Sequence, residues 1–430
     1  MEEIVIRGGR PLRGDLQVSG AKNAALPIMA ASLLVPEPTT LHHVPRLRDV
    51  QTMCGILEHL GTAVDWLGPE SVRLTPGGTQ PHVGPCDLVR DMRGSVCVLG
   101  PLLATRGAVV LPAPGGCVIG KRPIDLHVKG LEALGARFRL CHPYVYAQAG
   151  ELTGTRIDMA GPRGYTVLGT ANVMMAAVLA RGRTVIESAA SEPEVQDVAH
   201  FLNRCGARIA GIGSNTLTID GVDRLQATEY TIIPDRIEAG TFLAAAALTG
   251  GRIRLAGACP DHMRAELDVF RRAGLDVQEG NSVLTGSCAG PLRPVDVRTG
   301  SYPHFSTDMH PQVCAVLCLA RGRSVLHETV YPERFTHVEA LNRMGARVSV
   351  RGASSVIDGP ASLRGAAVHA ADLRAGAALV LAGLAAEGET VVRGVAQIDR
   401  GYDQLVRRLA LLGADISRRE AEAAAERKRA

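Results

Sequence analysis

The sequence predicts an α/β protein of two domains, each built from three repeated units with strands outside and helices packed within. Three observations carry this. A helix ending in glycine and followed by a short strand occurs six times, at Gly61, Gly135, Gly206, Gly274, Gly345 and Gly413, spaced 68–74 residues apart. A helix of small apolar residues recurs in phase with it. The length, 430 residues, suits two domains that each bury a sizeable core.

Each of those glycines follows an amphipathic stretch, as a helix stop should. A β-rich segment comes next, such as Ala346-Arg347-Val348-Ser349-Val350. The second helix covers residues 23–34, 95–104, 172–180, 241–249, 311–320 and 376–386. These stretches are rich in Ala, Val and Leu and almost without charge, so they are apolar all round and belong inside. A solenoid is the competing architecture, but its units run about 20–50 residues, shorter than this period. The expected boundaries are 22–232 for one domain and 1–21 plus 233–418 for the other. Residues 419–430, rich in Ala, Glu and Arg, form an expected flexible tail.

Composition narrows the function. Net charge is only +4 and aromatics make up 3%, so neither a basic field nor stacking platforms call for nucleic acid. The longest apolar runs, near 24–35 and 376–386, are too short to cross a membrane. Met1-Glu2-Glu3 opens no signal peptide. The ten cysteines show no metal spacing, and Cys314 and Cys318 read as core. A cytoplasmic enzyme with no metal and no cofactor is expected.

Basic residues recur where helices are predicted to begin: Lys22, Arg93 and Arg374 before buried helices, Arg122 and Arg400 before outer ones. The positive end of a helix dipole disfavours a cation. An anion at that point reverses the sign, because backbone N–H groups and basic side chains then converge on it. The other reading is that Asp372 and Asp399 absorb the charge locally. Five such positions in matching places favour an anion-lined cleft.

The segment Gly115-Gly116-Cys117-Val118-Ile119-Gly120-Lys121-Arg122-Pro123 is a true loop. Cys117 lies beside a basic cluster that favours its thiolate. The loop imitates a P-loop, but Arg122 stands where Ser or Thr must hold magnesium. No dinucleotide-binding glycine motif opens a helix. Asp308, leading into another buried helix, is either a helix cap or a general base.

These segments together resemble the UDP-N-acetylglucosamine enolpyruvyl transferases from about Ile4 to Ser417. The strings that carry the likeness are Ser19-Gly20-Ala21-Lys22-Asn23, Gly115-Gly116-Cys117, Arg122-Pro123-Ile124-Asp125-Leu126-His127, Pro234-Asp235-Arg236-Ile237-Glu238, Thr307-Asp308, Asp372-Leu373-Arg374 and Ile398-Asp399-Arg400-Gly401-Tyr402. The resemblance implies an inside-out α/β barrel in two domains of three βαβαββ-type units, with the N-terminal segment joined to the C-terminal half. It implies two small-molecule substrates, phosphoenolpyruvate and a uridine nucleotide sugar. Lys22, Asn23, Arg93, Arg122, Arg374 and Arg400 would hold phosphoenolpyruvate. Asn23, Arg93, Arg122, Pro123, Ile124, Asp125, Leu126, Thr166, Val167, Asp308 and Val330 would bind the acceptor. Cys117, Asp308, Lys22 and Arg400 would be catalytic, with Cys117 as the acid at C3 and Asp308 as the base at the sugar hydroxyl.

The chain departs from that family at Thr166-Val167-Leu168-Gly169-Thr170, where Ser-Val-Gly-Ala-Thr is usual. Arg163 is the nearest cation where a Lys is common. Cys97 replaces an aromatic, and Ser306 a Pro. Alternatives are transfer to another uridine nucleotide such as uridine monophosphate, the shikimate-pathway activity, and a non-catalytic repeat scaffold that binds anions.

Overall fold

The computed structural model describes residues 2–113, 115, 123–162 and 164–420. Its repeats follow the sequence closely. All six glycine stops adopt positive φ, between 87° and 106°, a conformation in which a side chain is strained. The amphipathic helices before them are Arg48–His59, Asp125–Ala133, Pro193–Arg204, Arg264–Arg272, Val338–Arg343 and Leu405–Leu411.

The apolar helices are buried as expected. Arg236–Thr249, His310–Leu317 and Leu373–Ala385 contact one another pairwise. In the other half, Val167–Ala177 contacts both Leu99–Arg106 and Lys22–Ala31. A 3₁₀ turn, Arg93–Val98, leads into the second of these. The buried apolar residues form two clusters, one drawn from 21–232 and one from 4–18 and 237–412.

Among the described residues the strands form six separate sheets of three or four strands. No ladder of hydrogen bonds joins one sheet to the next, so the barrel named above does not close through its strands. Within a unit, the strand after the buried helix pairs antiparallel with a central strand, which pairs antiparallel with the strand after the outer helix. Arg252–Ala256, Val283–Ser287 and Asp276–Gly280 are one such set. In five sheets a fourth strand lies parallel at the edge. The last unit lacks a central strand of its own, and Glu2–Arg7 supplies it between Glu389–Arg393 and Asp415–Glu420. That final strand includes Arg419 and Glu420, two residues beyond the expected start of the tail.

The chain crosses between the halves twice, side by side. Ala21 donates its N–H to the Ile233 carbonyl at 2.7 Å, and Asp235 to that of Ser19 at 2.8 Å. Glu238 accepts the Ser19 N–H at 2.7 Å, and Asp235 caps the next helix through the Ile237 and Glu238 amides. A Cβ on Gly20 would stand 1.6 Å from the His43 carbonyl oxygen. Two of the strings that carry the family likeness are therefore this double crossing.

Candidate active site

Lys22 opens its helix at the crossing, where the dipole disfavours a cation. Its compensation comes from Asp49, in the first turn of Arg48–His59, whose Oδ2 lies 3.0 Å from Lys22 Nζ. Asp49 Oδ1 accepts from Arg400 Nε at 2.9 Å. Asp399, the expected local partner of Arg400, pairs with Arg418 instead. Burial acts to raise the Asp49 pKa, but Lys22 and Arg400 outweigh it and lower the value. Two cations on one buried carboxylate leave a net positive charge here. Asn23 is the exposed residue on an otherwise buried helix.

A second cluster repeats that arithmetic. Asp308 receives Arg334 Nη1 at 2.8 Å and Arg374 Nη2 at 3.0 Å. Burial pushes the Asp308 pKa up, yet the two guanidiniums overcome it and hold the group far below the usual carboxylate range. The carboxylate is thus ionised throughout neutral pH. Its reading as a helix cap is excluded, because Ser306 caps this turn by accepting the Asp308 N–H. Asp372 does not absorb the Arg374 charge either; it accepts the backbone N–H groups of Arg374 and Ala375. Among the described residues, Arg334 Nε and Arg374 Nη1 are buried donors that meet no hydrogen-bond acceptor.

The segment expected to bind the acceptor is held by other contacts. Arg93 Nη2 donates to the Pro123 carbonyl at 3.0 Å. Behind Asp125 and Leu126, His127 touches Asn172 on the buried helix that begins at Val167. Thr166 caps that helix by accepting the Gly169 N–H at 3.2 Å. Gly169 is helical, not at positive φ. Its lack of a side chain answers close approach, since a Cβ would stand 2.2 Å from the Thr166 methyl. The Val167 and Leu168 amides are first-turn donors that the helix itself does not use. Cys117, Lys121, Arg122 and Arg163 lie outside the described residues. Gly115, at the root of the Cys117 loop, sits against the Arg90 carbonyl, 1.8 Å from where a Cβ would be.

Val330 comes to the Asp308 cluster through Glu328, which accepts both the Val330 N–H at 2.8 Å and the Thr307 hydroxyl at 2.9 Å. Three residues of the site escaped the sequence reading. Asp49 looks like any first-turn acid, and Arg334 and Glu328 stand in ordinary polar stretches. No local signal marks them.

The family profile described as EPSP synthase (3-phosphoshikimate 1-carboxyvinyltransferase) matches residues 6–409. A UDP-N-acetylglucosamine 1-carboxyvinyltransferase from Desulfovibrio desulfuricans is 48% identical, covering 97% of this chain and 99% of its own. One from Methylacidiphilum infernorum matches at 48% with the same coverage. Among solved structures, the enolpyruvyl transferase NikO from Streptomyces tendae superposes with a TM-score of 0.90 at 27% identity, over 98% of this chain and 99% of that one. EPSP synthase from Acinetobacter baumannii, at 16% identity and a TM-score of 0.75 over 98% of this chain and 100% of that one, shares the fold. Over nearly its whole length, the chain belongs to the EPSP synthase family of enolpyruvyl transferases, among the UDP-N-acetylglucosamine 1-carboxyvinyltransferases.

Proposed function

We propose that the protein transfers the enolpyruvyl group of phosphoenolpyruvate to the 3′-hydroxyl of UDP-N-acetylglucosamine, releasing phosphate, as the first committed step of peptidoglycan synthesis. The observation that carries it is the doubled pattern of two cations on one carboxylate, Lys22 and Arg400 on Asp49 and Arg334 and Arg374 on Asp308. In each triad the cations outnumber the carboxylate by one; Glu328, one hydroxyl away from Arg334, offsets part of this beside Asp308, while the surplus at Lys22 and Arg400 suits a substrate carrying both a phosphate and a carboxylate.

In this reading Lys22, Arg93, Arg122, Arg374 and Arg400 grip phosphoenolpyruvate, and Asn23 touches the acceptor or the tetrahedral adduct. Cys117 protonates C3, which makes C2 electrophilic. Asp308 takes the proton of the sugar hydroxyl as its oxygen adds to C2. Phosphate then leaves as C3 returns a proton. Pro123, Ile124, Asp125 and Leu126 seat the uridine. Thr166 and Val167 meet the diphosphate at a helix start, where amides suit an anion. The altered residues of that segment keep this geometry, since Thr166 caps the helix and leaves two amides over.

The two apolar cores support domains of 22–232 and 1–21 plus 233–418. No helix among the described residues is long and apolar enough to cross a membrane. We place the enzyme in the cytoplasm, acting on small molecules and on neither membrane nor nucleic acid. The identity of 46–48% to the sugar-nucleotide enzymes favours the sugar nucleotide over uridine monophosphate.

The deciding experiment follows phosphate release and product mass with phosphoenolpyruvate and, in turn, UDP-N-acetylglucosamine, uridine monophosphate and shikimate 3-phosphate. Turnover with the first acceptor is expected. Turnover only with another would overturn the assignment, and turnover with none would leave an anion-binding scaffold.

A further inference from the structure

Glu328 follows the strand Arg323–His327 and is fully buried. Its Oε1 accepts from the Thr299 hydroxyl at 2.9 Å and from the Val330 and Tyr331 amides at 2.8 and 3.0 Å. Its Oε2 accepts from the Thr307 hydroxyl at 2.9 Å and faces His310 Nδ1 at 3.1 Å. Burial lowers the His310 pKa. A neutral imidazole then donates from Nδ1 to Glu328 and presents Nε2 to the Ser355 hydroxyl, 3.5 Å away. The His310 ring and the Tyr331 and Val330 amides outweigh its desolvation, and the pKa falls to about 2.

An ionised carboxylate can only accept. The Thr307 hydroxyl must therefore spend its proton on Glu328 and turn a lone pair elsewhere. That lone pair meets Arg334 Nη1 at 3.1 Å, and the same nitrogen reaches Asp308 Oδ1 at 2.8 Å. The polarity of one hydroxyl thus sets the seat of the guanidinium that grips Asp308.

We propose that Glu328 is a positioning residue for the transfer reaction: through the Thr307 hydroxyl it fixes the grip of Arg334 on Asp308, and with its other oxygen it holds the Val330 segment beside them. This rests on the reading of Asp308 as the base. The alternative is that Glu328 only satisfies buried donors and serves stability.

Glu328→Gln separates the two. The amide oxygen can keep the three donors on the Thr299 and Val330 side. The amide NH₂ then faces Thr307 and His310. His310 can answer by changing tautomer. Thr307 must then accept from that amide, which frees its proton from position 328 and reorients the hydroxyl, loosening its hold on Arg334. The expected result is a fall in kcat of about 10- to 100-fold, the scale of a slightly misplaced catalytic group, with the KM of both substrates unchanged. Thr307→Val, which deletes the intermediary but leaves Glu328 four donors, should lose a similar factor. The double variant should be no slower than either single one, because both break one path. Ser355→Ala, at the far end of the network, should leave kcat unchanged.

Melting temperatures are measured alongside, and Thr307→Val carries the test if Glu328→Gln does not fold. An unchanged kcat in both folded variants, or losses that multiply in the double variant, would overturn the proposal. Asp308→Asn distinguishes the two levels. If it keeps full turnover, the reading of the base fails. If it abolishes turnover while Glu328→Gln is silent, only the positioning role fails.

Discussion

The reactive thiol expected at Cys117 gains a contrast from the other cysteines. Burial pushes the Cys54, Cys97 and Cys205 thiols up to about 12, so they carry almost no thiolate at neutral pH. Cys86, Cys141 and Cys259 are partly exposed and are the real competitors. Fosfomycin, an epoxide that alkylates thiols, should modify Cys117 in preference to all of them, as peptide mapping after brief exposure would show. Even labelling would sink the idea of a special thiol. Asp308→Asn should cut turnover roughly 10²–10⁴-fold and leave acceptor binding by calorimetry mostly intact. Asp197 offers a test by pH. It is buried, accepts from the Tyr230 hydroxyl at 2.6 Å, and its pKa is pushed from 3.8 up to about 6, chiefly by burial. A folded value above the unfolded one means that the folded state binds more protons between pH 4 and 6. This contribution therefore diminishes as pH rises through that window and is flat above it. Asp197→Asn should flatten the slope and raise stability at pH 7, by up to about 3 kcal/mol, as melting curves across pH would show.

At the scale of an element, the start of helix Val167–Ala177 yields an expectation opposite to propensity. Alanine is ordinarily the better helix former by about 1 kcal/mol. Gly169→Ala would nonetheless drive a methyl into Thr166 and break the cap. The KM for the sugar nucleotide should rise several-fold in steady-state assays while kcat changes less; unaltered KM would remove this helix start from the acceptor site. Elements of this kind were legible in the sequence because their signals are local. The glycine stops, the uncharged buried helices and the odd basic residues at helix starts all show within a few residues. The partners of those basic residues were not legible. Arg400 reaches back 351 positions to Asp49, and Arg374 reaches back 66 to Asp308. The near neighbours Asp399 and Asp372, which a local reading favours, are occupied otherwise. Glu328 shows no local sign at all, since its role arises only when Thr299, Thr307 and His310 from other segments join the neighbouring Val330 and Tyr331 amides on it.

At the scale of the whole molecule, the halves meet through charge. Lys22 and Asp49 come from one core and Arg400 from beside the other, and Arg236 at the crossing holds Glu194 at 2.9 Å. Arg400→Ala should raise the KM for phosphoenolpyruvate by one to two orders of magnitude, as the loss of a charged partner in a closed site costs a few kcal/mol. Added salt should raise the wild-type KM in the same direction. Unchanged kinetics would confine Arg400 to joining the halves. The strand Glu2–Arg7 has a different consequence, one of timing. Arg7 pairs with Glu389, 382 residues later, so at about 5–20 residues per second a ribosome takes some 20–80 s to deliver its partner. Throughout that interval this strand has two bare edges, while every described strand of 22–232 finds its neighbours sooner. Its two outer ends are charged, at Glu2, Glu3 and Arg7, which discourages pairing with another nascent chain. Ribosome-bound chains halted shortly after residue 260 should therefore resist protease across 22–232 while remaining cleavable at the N-terminus.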